Sequence, residues 1–242
     1  MIHGCSSSGA WRSKQTSLIH STKIDLNGFI PTSLLKTCSG IYSEIIENLA
    51  KLSLTECCFP SYLKPVQIST RLKRPCFDTD QPSSYRRISN LNNIFNLLER
   101  LFLSRIQHHV STCSHFNPYK PAYRHNHSTE TSLFLTTEYI LNFIDHGDST
   151  NLVSRYFSAA LDAIDIHILF DRLHTSPGIC NSVLDWLSSY LENRKQFVSV
   201  GHFRSITTTC TTGVPHGSVL GPILFSLFVS PIAQIATKYG IR

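Results

Sequence analysis

The chain has 242 residues, 41% of them hydrophobic and 16% charged, with a formal net charge of +6. A charged fraction below the roughly 25% of ordinary soluble domains, beside a near-ordinary apolar fraction, excludes a wholly disordered, collagen-like or low-complexity chain. Its cysteines, Cys5, Cys38, Cys57, Cys58, Cys76, Cys113, Cys180 and Cys210, show no C-x-x-C spacing, which excludes a zinc ribbon or a thioredoxin-like motif.

No apolar run follows Met1, so secretion is not expected; the cysteines read as reduced thiols, and nucleus or cytoplasm is favoured over export. Residues 1–24 are basic and free of acidic side chains, and they read as a disordered leader ahead of a domain spanning 25–242. After a Thr32/Ser33 cap, Leu34, Leu35, Cys38, Ile41, Tyr42, Ile45, Ile46 and Leu49 follow the i, i+3, i+4, i+7 spacing of one amphipathic helix. Residues 61–130 then hold ten of the basic side chains and four acidic ones, a net charge equal to that of the whole chain. Interleaved with Tyr62, Tyr85, Tyr119 and Tyr123, this block suits either a polyphosphate partner or a solvated basic face.

Within that block Ser89 is read as the cap of a helix whose stripe is Leu91, Ile94, Phe95, Leu98, Leu101, Phe102 and Ile106. His108, His109, Cys113, His115, His125 and His127 cluster in sequence, but their spacings fit no standard zinc site, so no metal is assigned to them. A third helix is expected from its cap Ser128, burying Leu133, Phe134, Ile140, Leu141 and Ile144. An extended run from Asn151 to Phe157 precedes helices around His167–Leu173 and Ser182–Leu191. A β-hairpin follows, with Gln196–Val200 and Ile206–Thr212 as strands and Gly201–Ser205 as the turn. Gly213, Pro215, Gly217 and Gly221 then form a tight loop. The apolar stretch Val219–Ala236 contains Pro222, Ser226, Ser230 and Pro231, so it reads as a core helix kinked or ended at Pro231; no membrane span is expected. Helices alternating with few strands give an α+β class, helix-rich with a small antiparallel sheet.

Five blocks in order, SYRRISNLNNIFNLLERLFLSRI, FNPYKPAYRHNHSTETSL, SAALDAIDIHILFDRLHTSPGI, VLDWLSSYLENRKQFVSVG and TTGVPHGSVLGPILFSLFVSPI, closely resemble the reverse transcriptase domain of non-LTR (LINE-type) retrotransposons. The resemblance covers the chain from about Asp25 to Arg242. It implies a right-hand polymerase, here an incomplete one with fingers and a partial palm. That fold copies an RNA template onto a DNA primer from dNTP, using Mg²⁺ held by aspartates on a palm strand and in a Tyr-Ala-Asp-Asp hairpin. Aligned on VSRYFSAALD, the first of these aspartates falls at Tyr156, and no two aspartates are adjacent anywhere in the sequence. No catalytic carboxylate is therefore intact, the chain reads as truncated before the hairpin, and the metal assignment is none.

The resemblance further assigns Lys73, Arg74 and Arg86 to the triphosphate, with Arg87 in place of the family's proline. Leu161 stands at the gate against the ribose 2′-hydroxyl. Gly213 and Gly217 belong to the dNTP-facing glycine loop, and His216 replaces a glutamine there. Tyr123, Arg124, His127 and Ser128 fall in the template-supporting block. Three readings follow: an inactive reverse transcriptase fragment, a non-catalytic basic nucleic-acid-binding module, and a polymerase completed by parts outside this sequence.

Overall fold

A computed structural model describes residues 32–112, 127–153, 157, 159–175, 178–179 and 181–241. The leader lies outside these residues. So does the centre of the extended run, whose described residues, 151–153 and 157, carry no regular structure. The first helix divides in two, α1 (Thr32–Thr37) and α2 (Ser39–Thr55), because the backbone leaves helical geometry at Cys38 (φ −100°, ψ 28°). The buried face of α2 is Ser43, Ile46, Glu47, Ala50 and Ser53, while Ile41 and Ile45 of the expected stripe are exposed. A polar anchor chooses this face. The buried Trp186 indole Nε1–H donates to Ser53 Oγ at 2.9 Å, and Ser53 Oγ–H donates to Cys58 O at 2.6 Å. Ser53→Ala leaves both groups without that partner and is expected to cost about 1–3 kcal/mol, read as a lower urea midpoint.

Strands β1 (Val66–Leu72) and β2 (Tyr85–Asn90) form an antiparallel hairpin. Ser89 pairs with Ile68 inside it and caps no helix; helix α3 (Asn93–Thr112) starts later, with Asn92 Oδ1 accepting from Ile94 N–H at 2.8 Å. The α3 stripe is otherwise as the periodicity predicts: Leu91, Phe95, Leu98, Leu101, Phe102 and Ile106 are all buried. Burial of each such side chain is worth roughly 1.5–3 kcal/mol. Phe102 stacks on Trp186 at 3.9 Å, and Phe59 meets Phe95, Trp186 and Tyr190 edge-on, so the core sits where α2, α3 and α6 (Ser182–Leu191) converge.

Helix α4 (Thr129–Asp145) begins at its Ser128 cap, in a capping box with Thr131. It buries none of its residues: Leu133, Phe134, Leu141 and Ile144 are exposed and Ile140 is half-buried. The apolar spacing sets which face is sticky; the described residues supply nothing to cover it. Helix α5 (Ile166–Thr175) and α6 match the expected stretches.

The predicted hairpin is present with a shorter turn: β3 (Arg194–Val200) folds back on β4 (Phe203–Arg204), which lies inside the expected turn Gly201–Ser205, and on β5 (Thr208–Cys210). The sheet is mixed and not antiparallel throughout, because β3 also pairs in parallel with β1, from Val66↔Gln196 to Ser69↔Ser199. Parallel partners need a long crossover, and the helical chain between them provides it. The apolar C-terminal stretch is two helices. The buried α7 (Gly221–Phe228) ends before Pro231, which opens α8 (Pro231–Lys238), where Ile232 and Ile235 are exposed. Among the described residues no helix is long and apolar enough to cross a membrane.

Candidate functional site

The glycine loop is tied to the segment before α5 by its backbone. Gly213 N–H donates to Ile164 O at 2.8 Å, and Val214 N–H donates to Leu161 O at 2.9 Å. The approach requires glycine: at φ +80°, a Cβ on Gly213 would lie 2.9 Å from both Asp162 Cα and Leu161 O. Loop and segment form one wall of a cavity of about 240 Å³, and β1, β2, β3 and β5 supply the rest through Ile68, Arg87, Ser89, Arg194 and Cys210.

Asp162 lies in that wall with both oxygens engaged. Arg87 Nη2 donates to its Oδ2, and His216 Nε2 is 2.9 Å from its Oδ1. Two departures noted separately in the sequence, at Arg87 and His216, therefore meet on one carboxylate.

Behind the loop sits a buried polar group that sequence reasoning missed. Glu99 of α3 is fully buried; its Oε1 accepts from the Tyr190 hydroxyl at 2.5 Å, and its Oε2 accepts from Val219 N–H at 2.7 Å. Burial raises the Glu99 carboxyl to about 7, against the lowering effects of the Tyr190 and Val219 bonds and the nearby Arg194 charge. Arg194, 3% exposed, donates from Nη1 to Tyr190 O at 3.2 Å and lies over the Phe95 and Tyr190 rings. Desolvation lowers its pKa, and burial raises that of Tyr190. The signal was present in the sequence: Glu99 falls four residues after Phe95 and three before Phe102, on the apolar stripe, where an acidic side chain must find partners.

The remaining site residues are dispersed. Lys73 and Arg74 follow β1 at the far end of the hairpin, where Lys73 Nζ donates to Ser83 O at 2.7 Å and Arg74 lies over the Phe77 ring. Arg86 pairs with Arg71 and is exposed; as the strand neighbour of Arg87, it belongs to the opposite face of the hairpin. Leu161 packs against the core beside the cavity, and Gly217 adopts φ +76°. His127 is exposed, and Ser128 Oγ accepts from Thr131 N–H as a helix cap. Tyr123, Arg124 and Tyr156 lie outside the described residues.

These carboxylates do not fit a pair of Mg²⁺ ions. Asp162 is engaged on both oxygens, Asp165 Oδ1 accepts from Ile168 N–H at 3.1 Å, and no three His, Cys, Asp or Glu side chains gather as a metal site among the described residues.

A family model described as reverse transcriptase (RNA-dependent DNA polymerase) matches residues 72–241, which includes β2, the segment before α5 and the glycine loop. The chain belongs to the reverse transcriptase family. Among its curated relatives are proteins of Drosophila melanogaster mobile elements, as the LINE-type resemblance implies. The "Probable RNA-directed DNA polymerase from transposon BS" is 31% identical over 182 residues, covering 72% of this chain and 19% of the relative. The "Probable RNA-directed DNA polymerase from transposon X-element" is 29% identical over 177 residues, covering 73% and 19%. The "RNA-directed DNA polymerase from mobile element jockey" is 29% identical over 180 residues, covering 71% and 18%. This reverse transcriptase domain thus spans about a fifth of the length of these relatives.

Proposed function

We propose that residues 25–242 are the fingers and adjoining palm of an RNA-directed DNA polymerase, with residues 1–24 a separate leader. In this reading the RNA template and DNA primer run along the basic β1–β2 hairpin, and the dNTP enters beside the glycine loop. One observation carries it: the loop is pinned by its backbone to the segment of Leu161, so that Asp162, Gly213 and His216 stand around one cavity to which β2 adds Arg87. Lys73, Arg74 and Arg86 then serve as phosphate contacts, and Leu161 faces the ribose. Gly213 and Gly217 permit close backbone approach. Tyr123, Arg124, His127 and Ser128 lie toward the template.

Were Mg²⁺ held at aspartates, it would supply activation of the primer hydroxyl and charge stabilisation of the leaving pyrophosphate. With Tyr156 at the aspartate position and Asp162 engaged by Arg87 and His216, a polypeptide of these 242 residues binds nucleic acid without polymerising. Primer extension with Mg²⁺ or Mn²⁺ should give no product, and Tyr156→Asp should not restore it; extension by the unmodified polypeptide overturns this part. Binding to a labelled primer–template should be sequence-independent and fall steeply with salt. Reversing the charges of Arg71, Lys73 and Arg74 should weaken it and reduce the log–log salt slope by roughly 0.9 for each phosphate that is no longer neutralised. Unchanged affinity and slope would remove the hairpin from the interface.

A further inference from the structure

We propose that the floor of the cavity, at Arg194, is a binding site for a phosphate group. The inference rests on the reading of this cleft as the nucleic-acid side of the domain, and it adds a contact at a residue to which the resemblance assigns no role.

Arg194 is nearly inaccessible, at 3% exposure, yet its Nη2 has no hydrogen-bond partner. Buried guanidinium groups are normally paired on every edge, since an unpaired buried donor costs about 1–3 kcal/mol and more when charged. The acid next to it is a poor counter-ion. Both Glu99 oxygens are already bonded, to the Tyr190 hydroxyl and to Val219 N–H, and the aromatic faces of Phe95 and Tyr190 supply no acceptor oxygen.

Arg194 lines the cavity, and that cavity's about 240 Å³ far exceeds the ~30 Å³ share of a single water. Its charge inventory is positive. Arg87 and Arg194 share the cavity with a single acid, Asp162, whose oxygens are held by Arg87 and His216. Thr211, Thr212 and Ser89 also line it, so hydroxyl donors share the cavity with the guanidinium. A tetrahedral anion with several acceptor oxygens uses a guanidinium fork and a ring of hydroxyls together; a single-point anion does not. The phosphate has two sources, a nucleic-acid backbone or a free anion such as pyrophosphate.

Amide hydrogen exchange on the unmodified 242-residue chain tests the site, with a primer–template, inorganic phosphate and pyrophosphate compared against chloride at equal ionic strength. Slowed exchange in residues 194–196 and 209–213 is expected. Slowing by the primer–template alone assigns the phosphate to a nucleic-acid backbone, and slowing by all three assigns an exchangeable anion site. Arg194→Lys keeps a charge and loses the fork, so affinity for the effective probe should fall roughly tenfold or more. Should that variant not fold, the exchange pattern of the unmodified chain still decides. A primer–template that binds and slows only the β1–β2 hairpin, with no effect of either free anion on 194–196 and 209–213, overturns the Arg194 site while the nucleic-acid reading stands. No primer–template binding at all overturns that reading, and slowing by inorganic phosphate would still uphold the anion site.

Discussion

Replacing Glu99 by leucine is expected to destabilise the domain by about 2–6 kcal/mol, since two buried donors lose their acceptor at about 1–3 kcal/mol each. The change leaves the Tyr190 hydroxyl and the Val219 N–H without acceptors and removes the carboxyl nearest Arg194, all in a site excluded from water. Because Val219 follows the glycine loop directly and precedes α7, the damage should spread from the core to the cavity wall. Glu99→Gln separates charge from hydrogen bonding. Held at about 7 in the fold against an ordinary 4.5, the carboxyl prefers its protonated form when the chain is folded. The stabilisation from this preference is fully present below about 4.5 and is lost as pH rises through about 7. Between those limits the difference amounts to about 3 kcal/mol, at 1.36 kcal/mol per pH unit. Urea unfolding across this range should therefore show the stability of the unmodified chain falling by that amount relative to Glu99→Gln. Parallel pH profiles for the two proteins would show that Glu99 is not held protonated in the fold.

Gly213→Ala is the second change with a large expected effect. A Cβ there would be driven against backbone atoms of residues 161 and 162, which cannot swing aside as a side-chain tip does, and the φ of +80° is itself strained for alanine. The loop has to lift from the segment before α5, which breaks the Gly213–Ile164 and Val214–Leu161 bonds. Strain and broken bonds together should cost about 2–5 kcal/mol. Primer–template affinity should fall with it, because the cavity wall is displaced. Gly201→Ala is the control: its φ of +58° is also positive, but nothing lies within 4 Å of the added carbon. It should cost about 1 kcal/mol and leave binding unchanged. Equal losses for the two variants would show that the loop contact plays no special part.

Local periodicity by itself determined α3 and α6, and turn chemistry determined the β3 hairpin, because these signals sit within one turn of helix or one strand pair. The motif blocks from SYRRIS to TTGVPHGSVLGP determined the family, since each block keeps its order along the chain. The tertiary structure decided what depends on a distant partner. The exposed apolar face of α4 has the spacing of a buried one, and Ser89 looks like a cap until its pairing with Ile68 is seen. The parallel pairing of β1 with β3 made the sheet mixed, and no local pattern in either strand encodes it. The convergence of Arg87 and His216 on Asp162 is of the same kind: 75 and 54 residues separate the partners. So is the burial of Glu99 against Tyr190 and Val219, 91 and 120 residues away. A side chain's spacing says which face it shares, whereas its charge state and its partner depend on what the rest of the chain brings to that face, and here the rest of the chain arrives from far along the sequence.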